Sequence, residues 1–240
     1  MPGSAFTAEI RRIFQKKMGE QIHMKDFIRD DDLFSLCGLN CGLCTMHIDG
    51  YCPGCGGGEG NQSCRIAKCS LKRNSENNNR ENRNSENNNS ENNSEKDGPG
   101  GEKIDYCHQC PDFPCEKYET IDEYDSFITH RNRRSDLDKH RNIGKEAYQE
   151  EQRRKTEILG ELLENYNDGR RKSFFCLAVN LLECGELQAV MGQVKACPDQ
   201  AGQTIKERAA CVVKLLQGAA DKRGIVLKLK KKPKQENKLY

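Results

Sequence analysis

The feature that most restricts how this chain can fold is the distribution of its cysteines. Of 14 cysteines in 240 residues, ten lie between positions 37 and 115. They form four groups, written Cys37-x3-Cys41-x2-Cys44, Cys52-x2-Cys55, Cys64-x4-Cys69 and Cys107-x2-Cys110-x4-Cys115. Two residues between thiolates let the backbone turn tightly, so that both sulfurs point at one ion. Three such pairs in one segment strongly indicate metal binding, and we expect all ten cysteines to be ligands.

The residues beside these cysteines favour tight turns. Pro53 holds φ near the value that a turn between its two flanking cysteines requires. Gly56 is predicted to adopt the positive φ that follows such a turn, because glycine has no Cβ to oppose it. Gly38 and Gly42 are predicted to serve in the same way after their own cysteines.

The cysteines are expected to be reduced. The first residues mix Phe6 with Glu9 and Arg11, where a secretory signal would be continuously apolar. No run approaches the ~18 apolar residues of a membrane span. These features predict a cytoplasmic protein without a membrane segment. In a reducing compartment, cysteine clusters indicate metal sites rather than disulfides.

The composition explains why a metal would be needed. Only 35% of the residues are hydrophobic, and the mean hydropathy is -0.91, whereas globular domains average ~45 to 50% apolar residues. Without its Asn-rich part the cysteine-rich segment has roughly fifty residues, and a core of that size contributes only ~3 to 5 kcal/mol. A structural zinc site supplies about 10 to 16 kcal/mol of apparent folding free energy. We therefore expect metal to decide whether this segment folds.

The cysteine spacing alone does not identify the metal. Tetrahedral thiolate sites suit Zn²⁺, but thiolates also hold mononuclear iron and 4Fe–4S clusters. The strict ferredoxin run of cysteines is absent, which favours zinc. Ten cysteines accommodate two four-thiolate sites with two left over, and His47 and His108 are alternative ligands. The pairing of the cysteines is left open.

Two functions follow from the cysteines. The first is zinc binding in a structural or partner-recognition module, for which no catalytic residue is predicted. The second is an iron–sulfur protein in electron transfer or redox sensing. The spacing Cys37-x3-Cys41-x2-Cys44 also matches the cluster loop of radical S-adenosylmethionine enzymes. In those enzymes the position that Leu43 occupies here is usually aromatic, and the helical second half of this chain cannot supply their barrel. We therefore interpret the match as a coincidence, and an enzymatic function is the less favoured interpretation.

Four stretches together carry a resemblance to a known family. They are Cys37-Gly-Leu-Asn-Cys41-Gly-Leu-Cys44, Tyr51-Cys-Pro-Gly-Cys55, Cys64-Arg-Ile-Ala-Lys-Cys69 and Tyr106-Cys-His-Gln-Cys110-Pro-Asp-Phe-Pro-Cys115. Over residues 35–130 the chain resembles DUF3795, an uncharacterised cysteine-rich family whose members are regarded as metal binders. The resemblance implies ligand roles for the ten cysteines and no established activity. The Asn-rich insert departs from the compact family pattern.

The sequence divides into four parts. We predict an N-terminal docking helix in residues 1–30, a cysteine-rich metal-binding domain over 31–130, a helical domain over 131–229 and a basic tail over 230–240. Within the second part, residues 72–101 repeat Asn-Ser-Glu-Asn-Asn-Asn without apolar side chains, which predicts a disordered insert. The fold class is therefore α plus a small irregular cysteine-rich module.

Apolar periodicity places helices throughout the second half. The docking helix is predicted over Thr7–Met18, and a broken helical stripe runs from Ile143 to Tyr166. Further helices are predicted over 174–182, which should be central and buried, over 186–195, and from Thr204 to a stop at Gly224. A short terminal strand is predicted over 225–229.

Other residues receive less specific interpretations. We expect Phe113 to fill the small core beside the metal and His130 and His140 to lie on a solvated, mixed-charge helical face. Three further cysteines are interpreted as small buried hydrophobic side chains, namely Cys176, Cys184 and Cys211.

The basic tail supports a third function. Residues 222–238 contain eight basic side chains and one acidic side chain, Glu236. Such a tail could bind nucleic acid or an acidic protein partner as an adaptor. No aromatic platform accompanies it, so a solubilising terminus is the alternative interpretation.

Overall fold

The computed structural model describes residues 28–31, 33–57, 64–86, 103–196 and 202–233, and for residues 78–86 the backbone alone. The predicted docking helix over Thr7–Met18 lies outside these residues. Cys197 and the last seven residues of the basic tail also lie outside them.

The described part of the chain contains seven α-helices: α1 Thr45–Ile48, α2 Arg65–Glu86, α3 Arg133–Ile143, α4 Lys145–Asn165, α5 Lys172–Leu181, α6 Cys184–Lys195 and α7 Ile205–Lys222. Three short 3₁₀ helices cover Cys41–Leu43, Cys107–Gln109 and Glu116–Tyr118. Extended pairing among the described residues is limited to one antiparallel bridge between Phe34 and Asn40. The predicted helical character is confirmed. None of the described helices is both long and apolar enough to cross a bilayer.

Capping explains where the later helices begin and end. Helix α7 begins after Thr204, whose hydroxyl accepts from the amide of Glu207 at 3.4 Å, while the Glu207 carboxylate accepts from the amide of Thr204 at 2.8 Å. This reciprocal pair satisfies two free donors of the first turn. The predicted stripe from Ile143 to Tyr166 is divided at Gly144, where α3 ends and α4 begins.

The main hydrophobic core lies among the last four helices. Helix α5 packs against α4 and α7, and α6 packs against α4 and α7. Phe175, Ala178 and Val179 of α5 have no exposed surface, so the prediction that this helix is central and buried is confirmed. Leu43, from the cysteine-rich segment, belongs to the same core.

A second core lies in the cysteine-rich segment and extends into the helical part. Its largest fully buried members from the segment are Phe34, Leu36 and Tyr118. Leu137 of α3 and Tyr148 of α4 complete it, and both are fully buried. The core of the cysteine-rich segment is therefore completed by side chains of the helical part.

A buried polar junction ties the two parts together at Asn40. Its amide nitrogen donates to Asp136 of α3 at 2.7 Å and to the Asn180 side chain of α5 at 3.3 Å. Its amide oxygen accepts from the hydroxyl of Tyr148 at 2.9 Å. One side chain just before Cys41 thus contacts three helices, and these bonds satisfy polar groups that would be costly to bury alone.

The structure differs from the predicted disordered insert over 72–101. Helix α2 continues through the first Asn-rich repeat to Glu86. The Asn74 side chain accepts from the amide of Ile104 at 2.8 Å and donates to its carbonyl at 3.2 Å. An asparagine that prediction assigned to a solvated loop therefore pairs with distant backbone, which favours ordering this part. Residues 87–102 lie outside the described chain.

The predicted strand over 225–229 is absent from the structure. Instead of a partner strand, the Arg131 guanidinium donates to the carbonyls of Val226 at 2.8 Å and Lys228 at 3.1 Å. Asp125 then pairs with the backbone of Lys230, through its amide at 2.8 Å and its carboxylate at 2.8 Å. Because side chains satisfy much of this backbone, an apolar run here does not need a sheet.

Gly38 provides a test of how closely the cysteine-rich segment approaches α3. It has φ of +89°, and a Cβ there would collide with the carbonyl oxygen of Arg133 and lie 2.9 Å from Cγ of Leu137. Gly50 has a comparable φ of +76° but nothing within 4 Å of such a Cβ. We expect Gly50→Ala to cost about 1 to 2 kcal/mol from its backbone conformation. Gly38→Ala should cost a further ~1 to 3 kcal/mol because of overpacking.

Urea unfolding of the two variants beside the wild-type protein measures both costs. The shared backbone term cancels in the difference between the variants. Equal losses of stability would contradict the close packing of the Gly38 turn against α3.

The carboxyl of Asp136 gives a second test, through pH. Burial raises its pKa to about 7, against the opposing effects of Lys155, the Asn40 hydrogen bond and Lys139, and with a smaller raising effect of Glu183. An exposed aspartate has a pKa of ~3.9, so the unfolded chain loses this proton at lower pH than the folded chain does. The contribution of protonated Asp136 is therefore complete below about pH 4 and is lost as the pH rises towards 7, by up to about 4 kcal/mol.

Asp136→Asn imitates the protonated carboxyl and should abolish this loss. We expect the unfolding free energy of the variant, relative to wild type, to rise steadily between about pH 4 and 7. Asp138→Asn, which removes an exposed carboxyl of the same helix, is the matched control and should show no such trend. A constant difference between Asp136→Asn and wild type would contradict the raised pKa.

Candidate metal centre

All ten cysteines predicted as ligands lie within the described residues, and none forms a disulfide there. Cys37 is buried, and the other nine are partly buried. Most of them are placed by turns and 3₁₀ helices rather than by long regular elements, and Cys69 within α2 is the exception. The described cysteines are therefore free thiols, as the prediction of metal binding requires.

Four of the other nine thiols act electrostatically on Cys41. Burial raises the pKa of Cys41 well above its usual value, and the sulfurs of Cys55, Cys37, Cys44 and Cys52 raise it further. Each neighbour disfavours a second negative charge on Cys41, and this effect weakens with distance. The first two cysteine groups of the sequence therefore interact electrostatically.

Helix α1 connects the turns within this group. Burial raises the pKa of Cys44, and the backbone amides of Met46 and His47 oppose this effect. The amide of Cys52 donates to the Met46 carbonyl at 3.1 Å, and Nδ1 of His47 lies 2.9 Å from the Cys52 carbonyl oxygen. Amide hydrogen bonds to sulfur are those that orient thiolate ligands in metal sites.

Glycine geometry matches the predicted turns at two of three positions. Gly56 has φ of +83°, and a Cβ there would lie 2.7 Å from Cγ of Arg29. Gly38 also has positive φ, whereas Gly42 does not and lies within the 3₁₀ helix Cys41–Leu43. The prediction for Gly42 is therefore wrong, because the chain passes this position in a right-handed helical turn.

A second group of four cysteines lines one cavity. The cavity has a volume of about 30 Å³ and contains Cys69, Cys107, Cys110 and Cys115 in its wall. Burial raises the pKa of Cys107 to about 12, while a hydrogen bond from the Tyr118 hydroxyl opposes this effect. These residues come from α2 and from the chain around two 3₁₀ helices, so the fold joins cysteines far apart in sequence.

Phe113 packs beside this cavity, as predicted. Its ring meets that of Tyr118 edge to face, with centroids 5.0 Å apart. Both rings form part of the cavity wall. The aromatic side chain next to the cysteines therefore serves packing.

Cys37 acts electrostatically on thiols of both groups, and Cys64 acts on Cys55. Burial raises the pKa of Cys55 to about 11, with Arg29 opposing and with Cys37 and Cys64 both raising it. Cys37 also raises the pKa of Cys107, after the larger effects of burial and Tyr118. These two cysteines match in number the two that remain when eight thiols form two sites.

Arg73 is a residue of this region that sequence reasoning missed. Its guanidinium forms an ion pair with Asp112, and Arg73 lines the cavity together with Cys69. It lay at the beginning of the predicted disordered insert. The signal available in the sequence was its position four residues after Cys69, which puts both on one face of a helix.

A histidine pair was also missed. His140, expected on a solvated face, is buried against Phe34 and Tyr106, and the prediction is wrong for this residue. Its Nδ1 lies 2.9 Å from Nε2 of His108. Burial lowers the pKa of His140 to about 4, and His108 lowers it further. An apolar surface of the cysteine-rich segment covers this part of α3, which the charge pattern of α3 could not indicate.

The donor chemistry suits zinc, but the sulfurs are not closed around a centre. Within the described ranges, no group of three or more His, Cys, Asp or Glu side chains stands in metal-binding geometry. The residues present are nonetheless thiols in two gatherings, with amide donors directed at sulfur, and zinc prefers such ligands. The residues therefore fit zinc in the type of their donor atoms.

The remaining predicted features have less to report. Lys228, Lys230, Lys231 and Lys232 of the basic region are exposed. Cys176 is buried in the main core, while Cys184 and Cys211 are only partly buried. The described residues contain no sheet from which a barrel for radical chemistry could be built.

Comparison with known proteins identifies no relative. No family model, no curated protein and no solved structure matches the chain. The resemblance to DUF3795 thus rests on the cysteine motifs alone.

Asn74 offers a test of how the second cysteine group is assembled. Its side chain holds the backbone of Ile104, three residues before Cys107. Asn74→Ala leaves the largely buried amide of Ile104 without its acceptor, which should cost about 1 to 3 kcal/mol. Ser75→Ala changes an exposed residue on the same helix and should stay within about 0.5 kcal/mol of wild type.

Hydrogen exchange measured by mass spectrometry after pepsin digestion reports this change directly. In Asn74→Ala we expect faster exchange in peptides that contain Ile104, and no change in peptides from α7. Unaltered exchange around Ile104 would show that Asn74 does not hold this segment.

Proposed function

We propose that this protein binds zinc through thiolates of its cysteine-rich segment, and that the metal serves structure or partner recognition. The observation that carries the proposal is the convergence of the cysteines. Cys69 of α2 lines one cavity with Cys107, Cys110 and Cys115, although 37 residues separate it from the next of them. Reduced thiols brought together from distant positions are the usual ligand set of structural zinc sites.

The electrostatics of the thiols supports this proposal. Burial raises the pKa values of Cys41, Cys55 and Cys107, so without a cation these sulfurs favour the protonated form. Zinc supplies a fixed positive charge and binds thiolates without redox chemistry of its own. Its binding would therefore release protons and be linked to folding.

The position of the first cysteine group supports a structural role. The 3₁₀ helix Cys41–Leu43 contacts α1, α4 and α5. Leu43, between two cysteines, is buried in the main core, and Ile48 of α1 packs against that core. A metal bound here would fasten the turns of the segment directly to the helices.

Elemental analysis of the full chain, purified without oxygen, tests the proposal. We expect zinc in stoichiometric amount, with two ions per chain if eight thiols form two tetrahedral sites. Cys211→Ser, in a helix of the main core, is the control and should retain the wild-type zinc content. Colourless protein with zinc supports the proposal, and brown protein with iron would replace it by the iron–sulfur alternative.

Removal of the metal tests its structural role. Treatment with a chelator should accelerate hydrogen exchange in residues 33–57 and 103–118, because the metal would be a major part of their folding free energy. Helices α5 and α7 should keep their protection, since their core is built from apolar side chains. Chelated protein with unchanged exchange in the cysteine-rich segment would contradict a structural role for the metal.

A further inference from the structure

The cavity beside α2 allows four of the ten cysteines to be assigned to one site. Resting on the proposed function, we propose that Cys69, Cys107, Cys110 and Cys115 hold one zinc ion together, separate from the ion held around Cys41. We also assign Arg73 as a positioning residue that orients the Cys69 sulfur and balances the charge of this site. The spacing of the cysteines left their pairing open.

Successive tight turns present three of the four sulfurs on one side of the chain. The amide of Cys110 donates to the carbonyl of Cys107 at 3.0 Å, and that of Phe113 donates to the carbonyl of Cys110 at 3.0 Å. The amide of Tyr118 then donates to the carbonyl of Cys115 at 2.8 Å. Each bond spans three residues, so the loop keeps winding in turns and brings all three sulfurs to the same cavity.

Helix α2 supplies the fourth sulfur of the cavity wall. Ile66 and Ser70, one helical turn apart, line the cavity together with Cys69. The Ser70 hydroxyl donates to the Ile104 carbonyl at 3.0 Å, next to the bonds made by Asn74. These bonds hold helix α2 against the chain at Ile104, next to Cys69.

The cavity also has the charges that a four-thiolate site requires. Four thiolates around one Zn²⁺ carry a net charge of -2, which is costly to place in a partly buried site without cations. Arg73 and Lys117 both line the cavity. Their acidic partners are Asp112, which is exposed, and Glu116, whose carboxylate lies 3.5 Å from the Lys117 amine.

Paired substitutions test the assignment by zinc counting on the full chain. Cys107→Ser/Cys110→Ser should remove one zinc ion, and Cys52→Ser/Cys55→Ser should remove the other. Combining all four substitutions should remove both. If the combined variant loses no more zinc than either pair alone, the cysteines share one site and the assignment is overturned. Wild-type protein without zinc would instead overturn the proposed function, so the two failures are distinguishable.

Substitution of Arg73 tests the same site without removing a ligand. Arg73→Gln should weaken zinc binding by about 10- to 100-fold, the usual effect of losing a group that orients a ligand. Competition with a chromophoric chelator measures this change for one of the two ions. Lys72→Gln removes the same charge from an exposed neighbour on α2 and should leave both affinities unchanged.

Arg73→Lys distinguishes a charge effect from general damage to α2. Because lysine keeps the charge, this variant should recover part of the lost affinity. The role of Arg73 would be overturned if Arg73→Gln weakened binding of the other zinc ion, the one that Cys52→Ser/Cys55→Ser removes. Equal effects of Arg73→Gln and Lys72→Gln on zinc affinity would also overturn it.

Discussion

The cysteine-rich segment does not contain a complete core of its own, and the rest of the structure follows from how it obtains one. Phe34, Leu36 and Tyr118 share one buried core with Leu137 and Tyr148 of the helical part. The polar counterpart of this contact is Asn40, which bonds to three helices. Apolar burial stabilises such a junction, and the paired polar groups determine its register.

This shared core places the thiols in a partly buried region, where a cation attracts thiolates more strongly than it does in water. Once the turns carrying Cys37 and Cys41 are pressed against the helices, their sulfurs are drawn out of water and near one another. Neighbouring buried thiols resist ionisation, so the same packing that orders the segment makes it unfavourable to hold thiolates alone. In the proposed function, zinc offsets this cost and couples the two parts of the fold.

Several elements could be predicted from local patterns. The helical second half follows from apolar spacing, and the start of α7 follows from the Thr204–Glu207 capping pair. The positive φ of Gly56 followed from the turn after its cysteine pair. These predictions succeeded because each depends on residues within one or two turns of chain.

Other elements depended on distant partners and could not be predicted. Helix α2 runs into an Asn-rich repeat whose composition indicates disorder, yet Asn74 bonds to Ile104 thirty residues away. The chain over 225–230 is held by Arg131 and Asp125 rather than by a strand. His140 was predicted to lie on the surface because the sequence of its own helix does not show that the cysteine-rich segment covers it.

By itself, the sequence determined the chemical type of this protein: many thiols, little apolar surface near them, and a helical second half. It determined these because residue type and short-range spacing are local properties. Only the tertiary structure decided that Cys69 shares a cavity with Cys107, Cys110 and Cys115, and that Arg73 lies beside them. Proximity between residues far apart in sequence is set by packing and hydrogen bonding of the whole chain, which no local spacing records.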